Sequence, residues 1–215
     1  MTQLILIRHG ETQWTAERRY QGHSDTDLNP AGRAQARALA RRLLALKWDI
    51  LYTSSLNRAR QTAEGIAARA GKNPRVDSRL VEFGFGRWEG KTAGEIFKKK
   101  DPAFRHWCRG EWVRPPGGEK KETFRKRIAG FLRDVLKRHP GKKVVVVSHG
   151  GAIKMMISKL LDLPFRSFWS FRVDPASVSI VHFQGKFTQL IFLNDTSHLR
   201  KPTGRAPWRI PFQEK

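Results

Sequence analysis

Three places in the chain set histidine or arginine beside glycine and serine where an ordinary core has no use for them. They are Arg8-His9-Gly10-Glu11, Arg58 shortly after Ser54-Ser55, and Ser148-His149-Gly150-Gly151. Arginine offers a planar fork of N–H donors that matches phosphate oxygens, and glycine lets backbone amides come close to an anion. A lone histidine at a strand end is most often a structurally satisfied one, and a lone arginine is usually solvated. Taken together, the three groups describe a pocket for a phosphate group.

For that pocket to exist, the three groups must lie side by side, and the surrounding pattern provides for this. Gln3–Arg8 reads as a strand, and Asn29-Pro30 is a helix start, with an apolar stripe at Ala36, Leu39, Ala40, Leu43 and Leu44. A second strand over Asp49–Thr53 leads into a helix with its stripe at Leu56, Ala59, Ala63, Ile66, Ala67 and Ala70, closed by Gly71. Val144–Val147 is apolar at every position, as a central strand covered on both faces should be. It delivers Ser148, His149 and Gly150 ahead of an apolar helix over residues 152–161. Ligands of open α/β sheets bind beyond the C-terminal ends of the strands, where helix N-termini add partial positive charge. The alternation predicts a three-layer α/β/α sandwich with a mostly parallel central sheet, one domain over residues 1–215.

The remaining segments are less regular. Val76–Glu82 reads as a short edge segment. Residues 84–119 carry four glycines before residue 95 and Pro115-Pro116-Gly117-Gly118 near their end, which predicts an insertion, a lid over about 84–120 with short helices. One of these opens on the Thr92-x-x-Glu95 capping box. A helix resumes at Glu122, Val178–Phe183 and Phe187–Phe192 form a hairpin, and a basic tail over about 200–215 is expected to be loose.

Composition narrows the function classes. The 215 residues are 39% hydrophobic, enough for a sizeable core, and no apolar run is long enough to span a bilayer. The single cysteine, Cys108, excludes an internal disulfide and a cysteine-based zinc cluster, so a cytoplasmic chain is expected. Lys and Arg total 42 against 19 Asp and Glu, a formal net charge of +23. Such a field attracts anions in general, but no RRM or zinc-finger signature accompanies it. The charge therefore reads as a solvated basic surface, with nucleic acid and membrane not expected as partners.

Four motifs in register resemble one known family. Arg8-His9-Gly10-Glu11-Thr12 resembles the RHG signature of the histidine phosphatase superfamily, also called phosphoglycerate mutase-like. Ser54 to Ala63 resembles its second arginine motif, Leu80 to Gly90 its acidic motif, and Ser148-His149-Gly150-Gly151 its second-histidine motif. The resemblance implies that His9 is a nucleophile forming a phosphohistidine. Arg8 and Arg58 would keep it neutral and hold the phosphoryl oxygens, Glu82 would protonate the leaving alkoxide and then activate water, and His149 would donate to a phosphoryl oxygen. Gln21-Gly22 matches the family's pocket-lining pair, with Gly150 and Thr15 also at the phosphate; relatives commonly carry asparagine where this chain has Thr15, and serine where it has Lys120. No metal and no cofactor is implied.

His23, His106, His139, His182 and His198 read as surface or satisfied histidines, Trp88 as packing beneath the acidic loop, and Ser148 as no hydrolase nucleophile. The expected function is metal-independent hydrolysis of a small phosphorylated metabolite, of the α-ribazole 5′-phosphate or broad-specificity type. Phosphoserine phosphatase and phosphoglycerate mutase stand as alternatives, with a non-catalytic phosphate- or nucleic-acid-binding module as the alternative from another class. A homodimer is compatible with this reading.

Overall fold

The computed structural model describes residues 1–185 and 187–199; the tail expected to be loose, about 200–215, lies outside the described residues. Six strands form one sheet in the order β3-β2-β4-β1-β5-β6. They are β1 (Thr2–Arg8), β2 (Ile50–Thr53), β3 (Arg75–Val76), β4 (Lys143–Ser148), β5 (Val178–Gln184) and β6 (Phe187–Asp195). The β1, β2, β3 and β4 pairings are parallel, whereas β5 and β6 add an antiparallel margin, the expected hairpin.

Period-2 alternation splits each inner strand between two cores. Leu4, Leu6, Val144 and Val146 face one side, and Ile5, Ile7, Val145 and Val147 the other, all fully buried. On the second side lie α2 (Pro30–Leu44) and α3 (Asn57–Ala70), packed on each other. On the first lie α6 (Lys121–Arg138) and α7 (Gly150–Leu160), so the sandwich has the three layers expected. Truncating an inner-strand leucine such as Leu6 to alanine should cost about 2–5 kcal/mol, because both the transfer energy and a cavity count against it.

Helix α2 starts as its sequence says, with the Asn29 side chain accepting from the Gly32 amide and Pro30 at the first turn. Short α1 (Gln13–Ala16), capped by the Thr12 hydroxyl, was not foreseen. Within 84–120 the chain makes a 3₁₀ turn at Gly86–Trp88, then α4 (Ala93–Lys98) and α5 (Pro102–Cys108); the Thr92/Glu95 capping box forms.

The segment expected as an edge over Val76–Glu82 is corrected. Only Arg75–Val76 pairs with β2, and Ser78–Leu80 turns as a 3₁₀ helix. The cause is local: the Asp77 carboxylate accepts from the Arg79 backbone and guanidinium, which closes the turn and buries Leu80. No helix among the described residues is long and apolar enough to cross a membrane.

Candidate active site

Strand register brings the two histidines together. Arg8 and Ser148 are the last partners of the parallel β1/β4 pair, so His9 and His149 leave adjacent strands at the same level. The His9 amide donates to the Ser148 carbonyl at 2.9 Å, and the two rings lie 5.1 Å apart. The Ser54 amide donates to Val147 at 3.0 Å, which sets the third junction beside the other two, and Arg58 follows on the first turn of α3.

His9 is 2% exposed, and its Nδ1 lies 2.7 Å from the Gly10 carbonyl. A carbonyl only accepts, so Nδ1 carries the proton and Nε2 keeps its lone pair. Burial, reinforced by Arg58 and Arg8, holds the imidazole well below the usual histidine value. His149 is fully buried and shifted the same way by burial, Arg58, His9 and Arg8. Its Nε2 lies 2.8 Å from Ser54 Oγ, which already accepts from the Leu56 amide at 3.3 Å. The Ser54 hydroxyl can give its proton to Nε2, and in that tautomer the ring hydrogen stands on His149 Nδ1.

Both arginines are tied down by backbone carbonyls rather than carboxylates. Arg8 Nη1 donates to Val173 at 2.7 Å; Arg58 donates from Nη1 to Ser24 and from Nη2 to Gly22, each at 2.8 Å. Burial draws the Arg58 guanidinium down to about 10 and lowers that of Arg8 as well. What remains is notable: Arg8 Nε, Arg58 Nε and His149 Nδ1 are buried and have no hydrogen-bond partner. Buried donors are rarely left unsatisfied, so three in one place point to an anion that completes them.

Glu82 takes a different position from these donors. Its carboxylate accepts from the amides of Phe83 (2.9 Å), Gly151 (3.0 Å) and Ala152 (3.2 Å). The last two exist as donors because α7 begins at Gly150 rather than near Ala152, leaving first-turn amides free. Gly150 lies against the Arg8 guanidinium.

The expected pocket pair needs adjustment. Gln21 lines the cavity, but its amide is engaged: Oε1 accepts from Thr12 and Thr26, and Nε2 donates to Thr15 Oγ1 at 2.9 Å. Thr15 thus joins a hydroxyl network with Thr12 at 3.0 Å, where a longer asparagine would reach further into the pocket. Gly22 acts through its carbonyl on Arg58, and its φ of +55° with the Glu89 carboxylate beside it leaves no room for a side chain. Lys120 is exposed at the N-cap of α6 and caps nothing, so the loss of serine there removes a helix cap and does not touch the cavity wall.

Two supporting residues went unread in the sequence. The Glu89 carboxylate accepts from the amides of His23, Ser24 and Phe85 and from the Ser24 hydroxyl, fixing the loop whose carbonyls hold Arg58. Arg127, on α6, donates to the carbonyls of Arg79, Val81 and Glu82 and pairs with Glu119 at 2.8 Å, holding the backbone at Glu82. Both are ordinary charged residues far along the chain from what they hold. His23 donates to the Glu82 carbonyl at 2.9 Å, His139 bonds Tyr52 and Ser148 donates to Leu80, in keeping with their quiet reading. Trp88 is buried and donates to Asp101 at 2.9 Å.

Above these groups opens a cavity of about 720 Å³. Arg8, Thr15, Gln21, Glu82 and Gly150 line one end; Tyr20, Phe85, Trp107, Trp112, Phe168 and Trp169 supply an aromatic wall. The rings interlock edge to face, as in Trp107 on Trp169 at 4.6 Å and Trp112 on Phe165 at 4.8 Å.

Comparison with known proteins agrees with this geometry. The profile of the histidine phosphatase superfamily, branch 1, matches residues 4–196. Phosphoserine phosphatase 1 of Hydrogenobacter thermophilus is 38% identical over 200 residues, 93% of this chain and 95% of that one. Among solved structures, the α-ribazole phosphatase of Shigella flexneri superposes with a TM-score of 0.82 at 30% identity, over 90% of this chain and 96% of that one. The phosphoserine phosphatase of Entamoeba histolytica, in complex with 3-phosphoglyceric acid, does so at 0.81 and 33%, over 92% and 99%. With the motifs, the fold and the relatives in agreement, the chain is a phosphatase belonging to branch 1 of the histidine phosphatase superfamily.

Proposed function

We propose that the chain hydrolyses small phosphate monoesters by way of a phosphohistidine on His9. The observation that carries the reading is the set of three unpartnered buried donors, Arg8 Nε, Arg58 Nε and His149 Nδ1, grouped around an imidazole whose Nε2 lone pair is free. Nε2 attacks phosphorus in line, the P–O ester bond breaks, and the leaving alkoxide takes a proton from Glu82. Water then attacks the phosphorus and gives its proton to the Glu82 carboxylate; the P–N bond breaks, and orthophosphate departs. The two guanidinium groups and the His149 N–H hold the charge that gathers on the phosphoryl oxygens. Thr15, Gln21 and Gly22 shape the pocket around them, and Gly150 opens the helix whose amides orient Glu82.

The aromatic wall and the cavity's size suit a ring-bearing leaving group, which favours the α-ribazole 5′-phosphate or broad-specificity type. One observation favours a second reading, phosphoserine phosphatase: a lysine on the cavity wall, Lys154. The deciding experiment measures phosphate release, in the presence of EDTA, from a panel of α-ribazole 5′-phosphate, phosphoserine, 3-phosphoglycerate, sugar phosphates and an aryl phosphate. Samples quenched in alkaline detergent should hold an acid-labile, base-stable protein-bound phosphate that His9→Ala lacks. Turnover without such an intermediate would sink the phosphohistidine route, and transfer of phosphate between positions of 3-phosphoglycerate would make the chain a mutase.

A further inference from the structure

Strand β6 carries an extra residue near its end. Val178 pairs with Asp195 and Ile180 with Phe192, so Leu193 and Asn194 together oppose Ser179 alone, a β-bulge. Asn194 is left-handed there, with φ at +58°, and its amide donates to the Ser179 hydroxyl at 3.1 Å. A bulge re-aims the side chain it carries. The Asn194 carboxamide meets the loop before β5, where Oδ1 accepts from the Asp174 amide at 2.6 Å and Nδ2 donates to one Asp174 carboxylate oxygen at 2.9 Å. The other oxygen of that carboxylate accepts from Arg172. Asparagine suits the position in two ways: it tolerates the left-handed turn, and its amide both accepts and donates. Aspartate would set two carboxylates together, and glycine would fit the turn but hold nothing.

The loop gripped in this way runs as a strap across the end of β1. Arg8 Nη1 donates to the Val173 carbonyl at 2.7 Å and the Arg8 amide to the Ser177 carbonyl at 3.2 Å, while the Ala176 amide lies 3.1 Å from the carbonyls of both Arg8 and His9. The Ser177 amide closes the strap on itself by donating to the Asp174 carbonyl at 3.0 Å. Ala176 is fully buried with φ at +56°, a conformation that alanine keeps only where its surroundings compel it. Val173, Asp174 and Pro175 also line the cavity. With Nη1 tied to Val173, the buried and unpartnered Nε of Arg8 is aimed by the strap, and a strap free to shift would let the fork rotate. We infer that Asn194 is a positioning residue: it fixes Asp174, Asp174 fixes the strap, and the strap sets the Arg8 guanidinium for the phosphate, on the reading of Arg8 given above. The two residues lie far apart in the chain and are joined by three printed steps, Asn194 to Asp174, along the backbone to Val173, and Val173 to Arg8.

The test compares the native enzyme with Asn194→Gly, which keeps the left-handed turn and removes the carboxamide, and with Asn194→Asp, which opposes a second carboxylate to that of Asp174. Two quantities are read, the Kd of inorganic phosphate by calorimetry and kcat/KM for an alkyl and an aryl phosphate, with thermal melting as a check on folding. Both variants should bind phosphate about 10-fold more weakly and lose about 10- to 100-fold in kcat/KM, by the same factor on the two esters, because the leaving group is not touched. In an Arg8→Met background the effect of Asn194→Gly on the phosphate Kd should shrink to less than about 2-fold, since a residue that acts through Arg8 then has nothing left to position. An undiminished effect in that background would make Asn194 a general structural support and overturn the inference, as would native phosphate binding by a folded Asn194→Gly enzyme. A native enzyme that binds phosphate but turns over neither ester would defeat the phosphatase reading, with the role of Asn194 still judged by Kd. A native enzyme that binds no phosphate would remove both.

Discussion

At the proposed phosphate end of the cavity four reacting side chains are held by backbone, Arg8 by Val173, Arg58 by Gly22 and Ser24, His9 by Gly10, and Glu82 by three amides, while His149 rests on the Ser54 hydroxyl. At the leaving-group end, rings drawn from Tyr20, the 84–120 insertion and the Phe165–Trp169 turn hold one another by edge-to-face contact, with hardly a backbone bond among them. The first construction fixes atoms to the main chain of rigid strand ends, and the second fixes them only to other side chains. Chemistry at the first end should thus be sensitive to any displacement, whereas the second can be repacked at modest cost.

Glu82→Gln should give the largest effect. Its amide oxygen can still accept from the Phe83 and Ala152 amides, although its NH2 cannot accept from Gly151, and it has no acidic proton to deliver, so kcat for an alkyl phosphate should fall by about 10²- to 10⁴-fold, and much less for an activated aryl phosphate. Equal losses on the two would remove Glu82 from the acid role. Gly22→Ala should come next, at about 10- to 100-fold in kcat/KM on every substrate, since a side chain at φ +55° meets Glu89 and displaces the carbonyl that holds Arg58. If the loss depended on the leaving group, the loop would belong to the other end.

The buried histidines predict a pH dependence of stability. Both rings are held well below their unfolded value of about 6.5, so the unfolded chain binds protons that the folded one refuses. Stability should be level above that pH and fall as the pH drops through it, by about 1.4 kcal/mol per pH unit for each ring. Urea unfolding between pH 6.5 and 5.5 measures the slope, and His149→Asn should lower it by one ring's share. Trp169→Leu should have the smallest effect, a few-fold rise in KM for a ring-bearing substrate with kcat nearly held, as expected for loss of its ring contacts with Trp107, Trp112 and Phe168. A collapse of kcat instead would mean that the wall positions the reacting phosphate too.

The same contrast explains what could be read in the sequence. The phosphate end was legible because its residues sit at strand ends in short motifs: Arg8-His9, Arg58 and His149 are each announced by the strand before them. The sandwich was legible because Val144–Val147 and the helix stripes repeat with the period of their elements. Glu89 and Arg127 were not, since each acts on backbone distant in sequence, Arg127 reaching across 45 residues to the Glu82 carbonyl. The turn at Ser78–Leu80 was missed because a side chain, Asp77, overrides an extended pattern. The engagement of Gln21 was hidden because it depends on three threonines meeting in space.

The way the arginines are anchored has a kinetic side. Because carbonyls hold Arg8 and Arg58 and neither guanidinium forms an ion pair among the described residues, their charge is offset only by the fields of neighbouring carboxylates such as Glu82 and is largely open to whatever anion arrives. Orthophosphate, the last product to leave, is such an anion. On the proposed mechanism, the pocket that would stabilise the phosphoryl group in transit should also retain orthophosphate afterwards, making product release a brake on turnover. Inorganic phosphate should inhibit competitively, and raising the ionic strength should loosen its hold.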